Sequence, residues 1–377
     1  MRRIAVTLLL LFLLGCSSPV KVASVRDPSP PATIASDCST DVAPAINAWL
    51  ATIPDGSTIT FPSGACYRID ETLLLDSRHN LTIVGNGAIF RQVTAGDYAR
   101  RAWAFVGGSN LSITGTVVQG ANPNPGVYTA AYEGQSAYYV GGVDTMTITA
   151  VQATNPYGDF VQIINSNNCK GCPAGPAVFA KHVTVTGSTF TGAGRQGVSV
   201  TAGSDVLISG NTLDKVGRSM FDIEPTKNTA SWGAERVTIS GNTTGTAHLL
   251  WLACAGEGPD VQDIVVEHNT ATGATGTPLI SVATPAGEGL RHRFTIRYNT
   301  WASVSGSPAP GFRFNNVESI VLAGNAASFP AGRSMTAIGL IGTWHTAAFD
   351  NSFPGAAQAW VSDGTDHDTA VWTDTAP

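Results

Sequence analysis

Nine stretches of this chain follow one eight-residue pattern, and self-similarity at such spacing confines a sequence to solenoids and related repeat arrays. The copies are Leu81-Thr-Ile-Val-Gly-Asn-Gly-Ala, Leu111-Ser-Ile-Thr-Gly-Thr-Val-Val, Met146-Thr-Ile-Thr-Ala-Val-Gln-Ala, Val183-Thr-Val-Thr-Gly-Ser-Thr-Phe and Val206-Leu-Ile-Ser-Gly-Asn-Thr-Leu. Val237-Thr-Ile-Ser-Gly-Asn-Thr-Thr, Ile264-Val-Val-Glu-His-Asn-Thr-Ala, Phe294-Thr-Ile-Arg-Tyr-Asn-Thr-Trp and Ile320-Val-Leu-Ala-Gly-Asn-Ala-Ala complete the set. Their starts lie 23 to 37 residues apart. Positions one and three are apolar, as a strand with one buried face requires. Position six is Asn at residues 86, 211, 242, 269, 299 and 325, with Thr116 and Ser188 as polar substitutes. A polar side chain at the same phase of stacked parallel coils, about 4.8 Å apart, can bond the backbone of the coils above and below and so satisfy turn groups that lack ladder partners.

Second strands sit between these motifs: Val161-Gln-Ile-Ile, Val198-Ser-Val, Phe221-Asp-Ile, Leu249-Leu-Trp-Leu, Leu279-Ile-Ser-Val and Phe312-Arg-Phe. Gly, Ser, Thr, Asn and Val are abundant, which suits short strands and tight turns better than long solvated helices. The expected fold is all-β: two or three short strands per coil with irregular turns, resembling a right-handed parallel β-helix. A propeller of antiparallel blades fits less well, because the spacing varies and hairpin signals are missing. Ser39-Thr-Asp-Val-Ala-Pro-Ala-Ile-Asn-Ala-Trp-Leu reads as an amphipathic capping helix, with Ser39 or Thr40 as N-cap and Ile46, Trp49 and Leu50 on one face. The repeat fades after residue 345, so 38–345 is expected to be the helix domain and 346–377 a C-terminal cap or tail.

Residues 1–15 resemble a lipoprotein signal peptide: Met1-Arg2-Arg3, an apolar run from Ile4 to Leu14, then Leu13-Leu14-Gly15-Cys16-Ser17-Ser18. The run is too short to span a bilayer as a helix, and the resemblance implies cleavage before Cys16, a lipid on its sulfur, and membrane attachment outside the cytoplasm. Residues 16–37, rich in Pro, Ser and Val, read as a flexible tether. In an oxidising compartment, Cys38 and Cys66 are expected to pair, and Cys169-Lys-Gly-Cys172 to close a local loop. Cys254, in an apolar run, reads as a buried free thiol. The formal net charge of -6 has no basic stripe behind it, which argues against nucleic acid as a partner.

The opening helix, Gly56-Ser-Thr-Ile-Thr-Phe-Pro-Ser-Gly-Ala-Cys-Tyr-Arg-Ile69 and Asn80-Leu-Thr-Ile-Val-Gly-Asn-Gly-Ala88 together are similar to the start of pectate-lyase-like β-helix proteins. That group includes pectate lyases, polygalacturonases, rhamnogalacturonases, alginate lyases, epimerases and phage tailspikes. The resemblance covers roughly residues 38 to 345 and implies extended carbohydrate lying along an outward-facing sheet. The polygalacturonase signatures Asn-Thr-Asp, Asp-Asp, Gly-His-Gly and Arg-x-Lys are absent, as are the Asp-Pro-His-Asp of mannuronan epimerases and the Arg-x-Pro-x-x-Arg of pectate lyases. A site therefore has to be argued from local residues.

Charged residues make up only 13% of the chain, against about a quarter in ordinary domains, yet Arg195, Arg218, Asp222 and Glu224 crowd into one segment. Aligning the second strands by their apolar pairs puts Gln162, Ser199 and Asp222 on one outward column. Glu224 then lies beside Thr201, Arg195 beside Arg218, and Asp159 beside Gln196 and Ser219. Asp222 and Glu224 share a face about 6 to 7 Å apart by strand rise, with Asp159 roughly 10 Å away across two coils. Close carboxylates raise one pKa, the arrangement glycoside hydrolysis uses. Glu224 is expected as acid and Asp222 as base or nucleophile, with Asp159 as rival partner, and Arg195 and Arg218 holding hydroxyls or a substrate carboxylate. The competing reading makes Asp222–Arg195 and Glu224–Arg218 surface ion pairs.

Tyr157 and Trp251 are candidates for stacking on sugar rings, and His248 for a proton carrier. Asp363-Gly-Thr-Asp-His-Asp368 reads as a solvated loop, and no metal site is expected. The function expected is an exported, lipid-anchored, polysaccharide-cleaving hydrolase without cofactor. One alternative is a lyase in which Asp159, Asp222 and Glu224 bind Ca²⁺ or neutralise a uronate while Arg195 or Arg218 takes the proton. The other is a non-catalytic glycan-binding or envelope-structural protein.

Overall fold

The computed structural model describes residues 27–167, 177–225, 233–276, 278–304 and 309–374. Cys16, Cys169 and Cys172 lie outside them. Every strand pairing is parallel, and each coil of chain contributes to the same stacked ladders. The eight-residue motifs form the first ladder, whose strands include Leu81 in His79–Val84, Val206 in Ala202–Ser209 and Phe294 in Arg291–Arg297. Short strands such as Thr189–Thr191 and Thr212–Asp214 follow one turn later. A separate sheet of eleven strands runs from Leu73–Asp76 through Val161–Ile164, Val198–Val200 and Phe221–Ile223 to Gln358–Ser362. This is a parallel β-helix.

The repeat explains the architecture residue by residue. Val183, Val206, Val237 and Ile264 occupy successive positions of one inward column and are all buried. Each such side chain contributes about 1.5–3 kcal/mol on leaving water. The residue before position one turns the corner with φ near the left-handed region: Asn80, Asn110, Thr145, His182, Asp205, Arg236, Asp263 and Arg293 all have φ between 52 and 68°. At this corner the charges alternate along the stack, and Arg236 meets Asp205 at 2.6 Å as Arg293 meets Asp263 at 2.6 Å.

Position six builds an asparagine ladder. Asn211, Asn242, Asn269, Asn299, Asn325 and Asn351 are buried. Each but the last donates its backbone and side-chain N–H groups to the Oδ1 of the next, as Asn242 does to Asn269 at 2.9 Å. Ser188 joins through its N–H to Asn211 Oδ1. Asn86 does not. Two extra residues lengthen its turn, leaving it exposed with φ 50° and its amide donating to Phe61 O.

The ends depart from expectation. Ser39 and Thr40 are not helix caps; they lie in a strand, Asp37–Asp41, and the helix is Ala43–Leu50 with Pro44 in its first turn. Asp41 Oδ1 instead accepts the Ala43 N–H. Ala43, Ile46 and Leu50 are buried over the first coil. Cys38 and Cys66 form the expected disulfide, tying this entry strand to Cys66–Arg68. Part of the presumed tether is docked: Pro28 O accepts the Thr60 N–H, and Ile34 is buried. At the other end the coil continues past residue 345, since Trp344–Ser352, Gln358–Ser362 and Ala370–Asp374 all join the parallel ladders. Cys254 is buried and free, with its thiol pushed up to about 12 by burial.

Candidate active site

The eleven-stranded sheet fixes the register of the candidate residues. Val161, Val198 and Phe221 pair in order, Gln162 lies opposite Ser199, and Ser199 opposite Asp222. The carboxylates are thus brought onto one outer face, but that face is not open water. Asp159, Gln196, Ser199 and Asp222 are all buried. The long excursion between Val117–Gln119 and Tyr138–Gly141, which holds a 3₁₀ turn at Ala130–Tyr132, folds back beside that face, with Glu133 3.8 Å from Arg195 and the Tyr128 ring against Arg218.

Asp159 is fully engaged. Arg195 Nη1 donates to both its oxygens at 3.2 and 2.9 Å, the Gln196 N–H to Oδ1 at 3.0 Å, and Ser199 Oγ to Oδ2 at 2.6 Å. Burial raises Asp159 above its ordinary value, with Arg195 opposing but not cancelling it, while Asp159 holds Arg195 more firmly protonated. Four hydrogen bonds from donors describe the ionised form, so Asp159–Arg195 is a buried ion pair. Gln196 continues the chain of contacts: its Oε1 accepts the Ser219 N–H at 2.7 Å and its Nε2 donates to Asp222 Oδ2 at 2.8 Å.

Asp222 is different. Its Oδ1 is buried and accepts no N–H or O–H among the described residues. Its neighbour is Glu224, partly exposed at the end of the same strand. Burial first, then the Glu224 charge, raises the Asp222 carboxyl well above the ordinary carboxylate range. An ionised Asp222 would leave Oδ1 buried without a donor, whereas a protonated carboxyl carries a donor of its own. Gly256, with φ 93°, leaves room for Glu224: a Cβ there would lie 2.5 Å from Glu224 Cγ.

The surface ion pairs Asp222–Arg195 and Glu224–Arg218 are not what forms. Arg195 is committed to Asp159, and the Arg218 guanidinium lies 5.1 Å over the Tyr128 ring. Trp251 is also displaced from its expected role. Its strand begins at Leu252, so the indole points inward against Phe221 and Trp301 and donates to Thr244 Oγ1 at 2.9 Å. Tyr157 is half-buried and packs on Tyr132 at 4.7 Å. His248 is exposed on a turn and lines a 470 Å³ cavity with Tyr128, Arg218 and Leu249 rather than touching Asp222 or Glu224.

Sequence reasoning missed Glu133, Tyr98 and Tyr128. Glu133 reaches Arg195 at 3.8 Å and accepts from both Tyr98 and Tyr128. It lies in the excursion, and the long interval between the motifs at Leu111 and Met146 was the available signal, since insertions in repeat proteins collect on one face.

No protein-family model and no curated protein matches the chain. Solved structures do. An endo-xylogalacturonan hydrolase from Aspergillus tubingensis is 15% identical over 92% of this chain and 98% of its own, with a TM-score of 0.55. The surface adhesin PfbA of Streptococcus pneumoniae is 13% identical over 91% and 100%, TM-score 0.56. The tailspike protein of E. coli bacteriophage HK620, in complex with pentasaccharide, is 15% identical over 88% of this chain and 64% of its own, TM-score 0.57. The fold is the right-handed parallel β-helix. At these identities the likeness reaches the fold and no further.

Proposed function

We propose that the protein is a polysaccharide-cleaving glycoside hydrolase acting at Asp222 and Glu224. The observation that carries this reading is the buried Asp222 Oδ1 with no donor, beside a second carboxyl. Asp222, whose carboxyl burial and Glu224 push well above the ordinary range, delivers its proton to the glycosidic oxygen; Glu224, the more exposed partner, acts as base or nucleophile. The roles are the reverse of those expected from sequence, because burial falls on Asp222. Arg195, locked on Asp159, sets the local field as a positioning residue. Tyr98, Tyr128, Tyr132 and Tyr157 supply faces for sugar rings. The neighbours named as a hydrolase and as an oligosaccharide-bound tailspike agree with a glycan as substrate.

A calcium-dependent lyase fits less well. Its ion would need Asp159, whose oxygens are already taken by Arg195, Ser199 and the Gln196 N–H. One observation favours a second reading, a non-catalytic glycan-binding protein: Asp222 is only 1% exposed. The proposal extends to location. A disulfide at Cys38–Cys66 suits an oxidising compartment, and lipid attachment at Cys16 would hold the protein at a membrane.

The test is a glycan-panel digest by the full chain beside Asp222→Asn and Glu224→Gln, following reducing ends and the absorbance of unsaturated products. Reducing ends without absorbance, lost in both variants, are expected. Unsaturated products would mean a lyase; glycan retention without release would mean a binding protein.

A further inference from the structure

A groove of opposite character is walled in part by Arg218 and by Tyr128, whose hydroxyl donates to Glu133. The 470 Å³ cavity is lined by Gly126, Val127, Tyr128, Gly217, Arg218, His248 and Leu249. A second, of 500 Å³, shares Gly126 and His248 with it and adds Lys215 and Thr275. Neither lining contains an Asp or Glu. Asp214, the nearest acid in sequence, has Oδ1 occupied by the Thr246 N–H and hydroxyl.

The groove is built rather than incidental. The Leu249 N–H donates to Arg218 O and the His248 N–H to Val216 O, which sets these residues on adjacent coils. Gly217 lets three segments meet: a Cβ there would lie 2.2 Å from Gly194 O and 2.9 Å from Gly126 O. Inside the second cavity, Thr275 is 1% exposed, yet its hydroxyl has no hydrogen-bond partner among the described residues. Arg218 Nε is likewise buried without a partner. Unsatisfied donors in a buried wall are costly unless something completes them. Lys215, Arg218 and His248 offer only donors when charged.

We propose that this groove binds an anionic sugar unit, a carboxylate or a sulfate or phosphate ester, on the glycan chain whose bond is cleaved at Asp222–Glu224. Lys215 and Arg218 meet the anion, Thr275 adds a neutral donor, and Val127 and Leu249, both exposed, pack on the ring's apolar face. The assignment deepens the hydrolase reading and rests on it for the identity of the ligand as part of a glycan.

Saturation-transfer NMR on the full chain with D-glucuronate, D-galacturonate, glucose 6-sulfate and glucose tests it. At least one anionic sugar is expected to bind about tenfold tighter than glucose and to weaken as salt rises. Lys215→Gln/Arg218→Gln should abolish that preference. Lys215→Gln alone, at an exposed position, should reduce it about threefold and covers the case in which the double variant misfolds. Preference for a uronate or for the ester identifies which anion is taken, and either supports the site. Equal binding of glucose, no binding by any sugar, or an unchanged preference in the variants overturns it. The two proposals separate cleanly: cleavage without anion preference sinks the groove alone, and anion preference without cleavage of any glycan sinks the hydrolase alone.

Discussion

The Arg195 guanidinium donates to both oxygens of Asp159, while among the described residues Asp222 Oδ2 receives the Gln196 amide; the Arg195 charge still acts on Asp222 through space, where burial and Glu224 outweigh it. This division separates the two buried carboxyls into two kinds. Asp159 is a fixed anion that anchors an arginine; Asp222 is a proton holder with one open oxygen. The two stand three register positions apart, since Asp159 aligns with Gln196 and Ser219 at the strand entrance while Asp222 stands in the sheet opposite Ser199.

The ion pair should therefore be structural and strongly coupled. Arg195→Gln leaves a buried Asp159 anion with Ser199 and one backbone N–H, and a loss of about 3–5 kcal/mol is expected. Asp159→Asn/Arg195→Gln removes both charges and should lose less than the sum of the single changes. Urea unfolding of the four proteins of this cycle measures the coupling. Strict additivity would show that the pair contributes nothing.

Asp222→Asn should behave in the opposite way. Burial and the Glu224 charge disfavour the ionised form of Asp222, and Asn puts a neutral amide of the same shape there, so stability above the folded pKa should be kept or raised. The sign with pH follows from the raised folded pKa. The stabilisation from proton binding by Asp222 is fully present below its unfolded pKa, about 3.9, and is lost as pH rises through the folded value. Unfolding midpoints of wild type minus Asp222→Asn should accordingly fall with rising pH across that window. Under the hydrolase reading, kcat drops about 10²–10⁴-fold in the same variant.

The repeat made the fold legible because it records two physical requirements at once: apolar side chains at inward positions and a hydrogen-bonding residue at the turn. The same pattern aligned Gln162, Ser199 and Asp222 correctly, since the apolar pairs Val161/Ile163, Val198/Val200 and Phe221/Ile223 fix which residues face outward. Burial of that outer face was not legible. The excursion that brings Glu133 to Arg195 and Tyr128 to Arg218 folds back beside that face, and nothing in local periodicity says where such a segment goes. Trp251 failed for a related reason. An apolar run of Leu249-Leu-Trp-Leu has no alternation to set its phase, so the strand's true start at Leu252 was invisible.

Asparagines with the same motif position should respond unequally. Asn269→Ala removes the Oδ1 that accepts from Asn242 and the amide that donates to Asn299 and Ile239 O, all buried. Its loss should lower stability by about 2–3 kcal/mol through unsatisfied backbone groups. Asn351→Ala should resemble it, since Asn351 accepts from Asn325 although the sequence motif around it has decayed. Asn86→Ala, outside the ladder but at φ 50° and with an amide bond to Phe61 O, should cost about 1 kcal/mol, less than the ladder asparagines. Equal losses at residues 86 and 269 would deny the ladder its role.

The corner column offers a stabilising change. Thr145 holds φ at 68°, beside Asn80 and Asn110 at 55 and 54° in equivalent turns. A β-branched residue is the poorest fit to this left-handed region, where an L-residue is strained by about 1–2 kcal/mol, and Asn is the side chain that tolerates it best short of glycine. Thr145→Asn should relieve part of that strain without the added chain entropy of glycine. The Thr145 hydroxyl gives up only an exposed hydrogen bond to Asp144, 3.2 Å long. A gain of about 1 kcal/mol in the free energy of urea unfolding is therefore expected. Thr145→Val, which keeps the branching and removes the hydroxyl, should give no gain, and an equal gain from Val would place the effect on the hydroxyl rather than on the backbone.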